Sequence, residues 1–297
     1  MSERATSTTA EPRFRATPAA GPRIGLTYEG REPALLERSL PFVDYLEITP
    51  DSIALAHGET ARLDAAVLDE LDAAAAAVDF VIHGVGLSLG SASGYSQEYL
   101  ALVEQFLARF EAVWHSEHLG YVQVEGRSLG TMLALPKTHD VLDLIAARIE
   151  EIQRRIPLPF LVENIVHLVP DYAGDYSDAA FLNELVARTG CGLLLDVYNL
   201  EVDAKNNGFD IDAFLDELDL GAVREMHLAG GVELEGMQVD VHSRVTASST
   251  LALARELVPR LPKLGGVTYE LLPEAVAVVG IDAIVDELRR IRGVLAR

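Results

Sequence analysis

The chain has 297 residues, 49% hydrophobic and 24% charged, and with 24 Lys and Arg against 46 Asp and Glu its formal charge is −22. That composition is ordinary for a globular domain and excludes disordered, collagenous and fibrous classes, while the charge argues against nucleic acid or an anionic membrane as partner. The single cysteine, Cys191, cannot form an intrachain disulfide, and no apolar run approaches a signal segment or the roughly 18 to 20 residues that span a bilayer, so a cytoplasmic protein is expected.

Residues 1–22 are Ala, Thr, Pro and Arg without periodicity and are expected to form a disordered tail, leaving 23–297 as one domain. From there, short β-branched or apolar runs alternate with segments of helical periodicity. A strand at Ile24–Tyr28 precedes a helix at Pro33–Ser39, Val43–Ile48 precedes Leu63–Ala77, Phe80–His83 precedes Gln97–Phe110, and Val113–His118 precedes Thr138–Arg155. The second half repeats the pattern, with Phe160–Glu163 before Asp178–Thr189, Gly192–Val197 before Ile211–Leu218, Val223–Leu228 before Thr250–Arg260, and Val267–Leu271 before Asp282–Arg292. Thr138 and Ser177 are N-cap types, while Gly190 and Gly293 stand one residue past proposed helix ends. Eight such βα units without an interior linker predict a single α/β domain, a (β/α)8 TIM barrel, rather than a doubly wound sheet.

A parallel strand covered by helices should be almost wholly apolar, so ionisable residues at strand ends need a reason. Here they recur: His83 ends FVIHG, Glu117 and His118 end HSEHL, Glu163 ends FLVEN, Asp196 ends LLLDV, His227 lies in REMHLAG and Glu270 in VTYELL. All fall on the rim where barrel enzymes build their active sites. Asp240 and His242, two residues apart in QVDVHS, share one side of an extended segment, and Asn199 follows Asp196 by three. Burying four carboxylates and four imidazoles in one crevice would cost several kcal/mol per uncompensated charge, a cost that cations remove. Imidazole and carboxylate without thiolate suits Fe, Mn or Zn, and the donors are too many for one ion, so two or three metals are implied.

The remaining histidines read as structural: His57 in an irregular loop, His139 at a helix start, His115 inside a strand, and His167 beyond Glu163. Glu47 and Asp51 follow the second strand as supporting groups, and Cys191 reads as core. The glycines of HGVGLSLGS miss the dinucleotide fingerprint, and no GxSxG elbow or phosphate loop is present.

Taken in order, HGVGLSLGS (83–91), SEHL (116–119), LALPKT (133–138), LVEN (161–164), RTGCGLLLDVYN (188–199), NGFD (207–210), HLAG (227–230) and DVH (240–242) resemble the signatures of the DUF692 (UPF0276) family, multinuclear non-heme iron-dependent oxidative enzymes. The resemblance implies a metal-bearing TIM barrel with two or three irons in mixed ferrous and ferric states. It implies a ribosomally synthesised precursor peptide as substrate, with a partner protein to deliver it and dioxygen as oxidant. By position it implies metal ligation by His83, His118, Glu163, Asp196, Asn199, His227, Asp240, His242 and Glu270. The chain departs from the family at Tyr198 (usually Asn), Asn207 (usually His), Gly231 (usually a second His) and Leu271–Leu272 (usually Trp-Asp), positions around the ligands rather than among them. The residues alone leave two rivals open: a divalent-metal isomerase or endonuclease IV-like hydrolase, and a non-catalytic peptide-binding barrel.

Overall fold

The computed structural model of the chain describes residues 14–15, 21–57, 60–169 and 174–296. In chain order, β1 (Arg23–Thr27) leads through α1 (Pro33–Ser39) to β2 (Tyr45–Ile48), and a hairpin of β3 (Ala54–His57) and β4 (Thr60–Leu63) leads through α2 (Ala65–Ala74) to β5 (Asp79–Gly84). Next come α3 (Gln97–Leu107), β6 (His115–His118), a second hairpin of β7 (Gly120–Val124) and β8 (Arg127–Ala134), α4 (His139–Arg155) and β9 (Phe160–Glu163). The chain continues with α5 (Asp178–Thr189), β10 (Gly192–Asp196), α6 (Val197–Asn207), α7 (Ile211–Glu217) and β11 (Val223–Leu228). A third hairpin of β12 (Val232–Leu234) and β13 (Met237–Val239) is followed by α8 (Ser248–Leu257), β14 (Gly266–Tyr269), α9 (Pro273–Val279) and α10 (Ile281–Leu295). Strands β1, β2, β5, β6, β9, β10, β11 and β14 pair in parallel and close in that order, the (β/α)8 barrel that the alternating pattern predicts.

The pleat sorts the side chains. Ile24, Leu26, Leu46, Ile48, Phe80, Ile82, Phe160, Val162, Leu193, Leu195, Val267 and Tyr269 belong to the large buried cluster between barrel and helices. The alternate positions point into the barrel, so each strand delivers an interior column: Gly25 and Thr27, Tyr45 and Glu47, Val81 and His83, Ser116 and His118, Leu161 and Glu163, Leu194 and Asp196, Glu225 and His227, Gly266 and Thr268. Read from the amino-terminal end upward, the columns run from aromatic and aliphatic, through a polar layer, to the imidazoles and carboxylates. At the closed end Tyr45, Val81, Trp114, Leu161 and Leu194 form a second buried cluster.

Several expectations change. Phe14 and Arg15, placed with the tail, dock on the barrel: the Phe14 ring lies 5.0 Å from Trp114 and 5.4 Å from Tyr45, and Arg15 Nε lies 3.1 Å from an Asp79 oxygen. The aromatic floor otherwise faces water, which is reason enough for a phenylalanine to cover it; the rest of 1–20 lies outside the described residues. His57 ends β3 rather than sitting in an irregular loop, because Ala54–His57 pair antiparallel with Thr60–Leu63, a hairpin whose alanines carry little strand signal. Gly293 lies inside α10, since the apolar stripe Ile284, Leu288, Ile291, Leu295 runs past it and outweighs the roughly 1 kcal/mol cost of a helical glycine. Helix α6 begins directly at Val197, where the strand was expected to continue, because the Asp196 side chain accepts from Asn199 N and caps it. The Thr138 and Ser177 caps and the left-handed Gly190 occur as read.

Tyr45 crosses the barrel floor over two glycines. A Cβ on Gly25 would lie 2.3 Å from Tyr45 Cε2, and one on Gly266 would lie 2.5 Å from its hydroxyl. Gly25→Ala should therefore destabilise the fold by about 1–3 kcal/mol through overpacking. Equilibrium denaturation checks this, and a variant as stable as the parent would show that the ring is free to move.

Candidate metal centre

Three overlapping groups of donors stand at the open end of the barrel, the ligand atoms of each lying within 4.8 Å of one another: Glu47, His83 and His227; His83, His118 and Glu163; and Glu163, Asp196, His227 and Glu270. Glu163 sits at the junction, with one oxygen 3.5 Å from His83 Nε2 and 3.3 Å from His118 Nε2 and the other 3.6 Å from His227 Nδ1. Asn199 joins through Asp196, whose Oδ1 accepts from its backbone N–H at 2.7 Å. His242 joins through Glu270, with Nδ1 3.1 Å from Glu270 Oε2, and Asp240 stands outermost, an oxygen 2.6 Å from His242 Nε2. The structure thus brings six of the nine expected side chains into shared donor groups and sets Asn199, His242 and Asp240 along one edge.

The groups behind each imidazole fix its orientation. Ser116 donates its hydroxyl proton to Ile82 O at 3.2 Å, so it accepts from His83 Nδ1 at 3.0 Å and leaves the Nε2 lone pair facing Glu163. His118 Nδ1 lies 2.9 Å from Gly84 O, which can only accept, so Nε2 again faces the centre. His227 is held by two carboxylates, Nε2 2.8 Å from Glu47 and Nδ1 2.9 Å from Glu270. This is the arrangement that metal-binding imidazoles require of their outer neighbours.

Buried polar atoms should be hydrogen-bonded, yet both oxygens of Glu163, Asp196 Oδ2, Asn199 Oδ1 and His83 Nε2 have no such partner. They converge on the same space, and all are lone-pair donors. Burial pushes Glu163 up to about 8 and Asp196 up to about 7, while burial followed by the neighbouring His118 and His227 holds His83 well below its ordinary range. At Glu270 burial opposes ionisation, but His242 and His227 outweigh it and keep the carboxyl well below the usual range. Burial thus drives Glu163 and Asp196 toward protonation and keeps His83 neutral, while at His118, His227 and His242 burial is outweighed by neighbouring carboxylates that push each imidazole up, so the cluster holds protons that a divalent cation can replace.

A polar layer below supports the donors. Glu47 accepts from Thr27 Oγ1 at 2.8 Å, and Glu225 accepts from Trp114 Nε1 at 2.6 Å, from Thr268 Oγ1 at 2.7 Å and from Tyr45 at 3.2 Å. The sequence reading placed Glu47 as a supporting group at the rim; it lies inside the barrel, fully buried against His227. Ser116 and Glu225 escaped that reading, although each stands two residues before a rim histidine and so shares its interior column. Asp51 packs behind the HGVG turn, where a Cβ on Gly86 would lie 2.6 Å from its Oδ2.

The remaining histidines are elsewhere. His115 faces outward, 3.0 Å from the Tyr99 hydroxyl, and burial pushes it down to about 3. His139 starts α4 and meets Tyr176 at 2.7 Å. His167 turns from Glu163 to Asp203, with Nδ1 to Oδ2 at 2.6 Å. Cys191 is buried beneath the helices, its thiol pushed up to about 11 by burial. Above the donors opens a cavity of about 520 Å³ whose wall includes His118, Ile165, Asn199, Met237, Asp240 and His242. Among the described residues no helix is long and apolar enough to cross a membrane.

Comparison with known proteins adds the family. The family described as RiPP precursor modification enzyme MbnB/TglH/ChrH matches residues 23–296. A UPF0276 protein of Caulobacter vibrioides is 31% identical over 220 residues, 74% of this chain and 76% of its own length. A UPF0276 protein of Bordetella pertussis is 36% identical over 230 residues, 77% of this chain and 76% of its own. Among solved structures, a D-psicose 3-epimerase from Clostridium cellulolyticum H10 superposes with a TM-score of 0.59 at 11% identity over 92% of this chain and 99% of its own, and a 3-keto-D-glucoside 4-epimerase from E. coli with 0.57 at 13% over the same shares. At such identity these likenesses concern the barrel alone.

A pH dependence follows from the protonated donors. Without a cation, Glu163 keeps its proton up to about 8, and His118, where burial is outweighed by Glu163 and Glu117, up to about 10. The unfolded chain has released both protons by about pH 7.5, so the native state binds more protons and loses stability as pH rises from about 7 to 9. A bound cation displaces those protons and should flatten the slope. Thermal melts of metal-free and metal-loaded protein across that window check this, and parallel curves would mean that no cation reaches these groups.

Proposed function

This chain belongs to the family of RiPP precursor modification enzymes MbnB/TglH/ChrH, and on that premise we propose that it is a multinuclear non-heme iron enzyme that uses dioxygen to oxidise a ribosomally synthesised precursor peptide. The observation that carries the reading is the shared corner at Glu163: donor groups that overlap through Glu163, His83 and His227 suit adjacent cations better than one. His83, His118 and Glu163 would hold one ion, Glu163, Asp196, His227 and Glu270 a second, with Asn199, His242 and Asp240 completing the edge toward the cavity. Glu47 with His83 and His227 offers a further triad beneath. Iron, rather than manganese or zinc, rests on the family resemblance, since the donor types suit all three.

Bound iron supplies one-electron oxidation with dioxygen as the oxidant. The chain's own residues orient and shield. Ser116, Gly84 O and Glu47 fix the three imidazoles, the polar layer around Glu225 closes the barrel below, and the aromatic floor keeps water from entering from the opposite end. The cavity above, with Asp240 partly exposed at its lip, would take a peptide segment that a partner protein presents.

The test is metal content. Anaerobically prepared protein should carry more than one iron per chain and consume dioxygen with a working peptide. His118→Ala, Asp240→Ala and His242→Ala should each lower iron and abolish turnover, while His139→Ala, on the outer surface beside Tyr176, should leave both unchanged. Less than one transition metal per chain after reconstitution, or full iron in all three rim variants, would refute the reading.

A further inference from the structure

Helix α6 carries two things at once. Its amino-terminal end holds Asp196 and Asn199, and one of its faces, Tyr198, Val202 and Asn206 at four-residue spacing, lies along the β12–β13 hairpin that leads into Asp240 and His242. Asn206 grips the backbone of Gln238 from both sides, its Nδ2 donating to Gln238 O at 2.8 Å and its Oδ1 accepting from Gln238 N at 2.9 Å. The carboxamide thus takes the place of a neighbouring strand. One residue on, Tyr198 Oη accepts from Gln238 Nε2 at 2.7 Å and donates to Val239 O at 3.3 Å, while its ring meets the His242 ring edge to face, centroids 6.0 Å apart. Lys205 pairs with Glu233 on the other strand.

The hairpin fits this closely for a reason visible at Gly231. A Cβ there would lie 2.2 Å from Tyr198 Oη and 2.3 Å from Val239 O, so the phenol oxygen occupies the place of a side chain at 231. His242 needs such support. Its φ of 36° is unusual for a side chain of this size, and it is pinned by Leu272 N donating to His242 O at 3.0 Å and by Ser243 N donating to Gly230 O at 2.7 Å.

We infer that Tyr198 is a positioning residue that, with Asn206, clips β13 to α6 and so sets His242 and Asp240 against Glu270, and that Gly231 is glycine because the clip requires its space. In its consequence for metal binding the inference rests on the function proposed above; in its account of the hairpin it does not.

The experiment compares full-length Tyr198→Phe, Tyr198→Ala, Gly231→Ala and the double variant Tyr198→Ala with Gly231→Ala. The first readout is amide hydrogen exchange over 237–242 in metal-free protein. Tyr198→Ala and Gly231→Ala should each speed exchange there at least tenfold with the barrel strands unchanged, and Gly231→Ala should add less in the Tyr198→Ala background than in the parent, since the clash with the phenol oxygen has gone and only that with Val239 O remains. Tyr198→Phe, which keeps the ring and should fold as the parent does, should release the hairpin but retain the contact with His242. The second readout is the affinity for ferrous iron alone, measured anaerobically by chelator competition. It should fall about 10- to 100-fold in Tyr198→Ala and less in Tyr198→Phe. Unchanged exchange in Tyr198→Phe and Tyr198→Ala, or equal damage from Gly231→Ala in both backgrounds, would overturn the clip. Loosened exchange with unchanged iron affinity would overturn the link to His242. A parent protein that takes no iron refutes the proposed function and leaves the exchange result to decide the clip.

Discussion

Glu163 has both carboxylate oxygens buried without a hydrogen-bond partner, and imidazoles within 3.6 Å on two sides. An ionised carboxylate in that position is tolerable only with positive charge beside it, and the choice lies between protons and a metal ion. The donor types around Glu163 suit the second choice. The histidines nearest to it have their far nitrogens tied to Ser116, to Gly84 O and to Glu47, which turns the near nitrogens of His83 and His118 toward Glu163 and sets His227 Nδ1 between Glu270 and Glu163.

The barrel makes the arrangement affordable. Its interior columns place the donors above Glu225 and Thr268, with Thr27 bonded to Glu47 at their foot, and that layer stands on the Tyr45 and Trp114 floor. Burial pushes Glu225 up to about 7, and three donors around it share the load. Polar groups inside a closed sheet thus satisfy one another in the middle, are excluded at the bottom, and remain unsatisfied only at the top. The same barrel in the epimerases shows how little the frame decides; side chains at the upper ends of the strands decide the chemistry.

The frame and the upper layer were legible because each rests on a strong local signal. Apolar runs ending in His, Asp or Glu are rare enough that six of them on eight strands define both the strands and the rim. The polar layer was hidden by ordinariness: Ser116, Thr268 and Glu225 look unremarkable in sequence and acquire meaning only when counted back two residues from His118, Glu270 and His227. Helix α6 was missed because Asp196 does two jobs, ending a strand and capping a helix, and the apolar run gives no sign of where one stops. The three hairpins rest on short pairs of weak strand formers, and their stability comes from what they dock against. Phe14 lies in a stretch whose composition argues for disorder, and no local pattern foretells that the barrel floor needs a cover.

The positions at which the chain departs from its family's usual pattern can now be placed. Tyr198 and Gly231 meet in one space: a Cβ at 231 would strike the phenol oxygen and the backbone Val239 O alike, so the two positions are coupled in packing. Asn207 bonds to His167 O and to Asp203 rather than to any donor of the centre. Leu271 is buried in the core, and Leu272 contributes its backbone N–H to His242 O whatever side chain it bears. None of these residues supplies a ligand atom to the three donor groups; Tyr198, Gly231 and Leu272 touch the segment that carries Asp240 and His242, and Asn207 lines the cavity wall. A change confined to that wall alters the shape of the cavity while leaving Glu163 and its neighbours facing the same volume, so members of the family can diverge there without dismantling the donor groups.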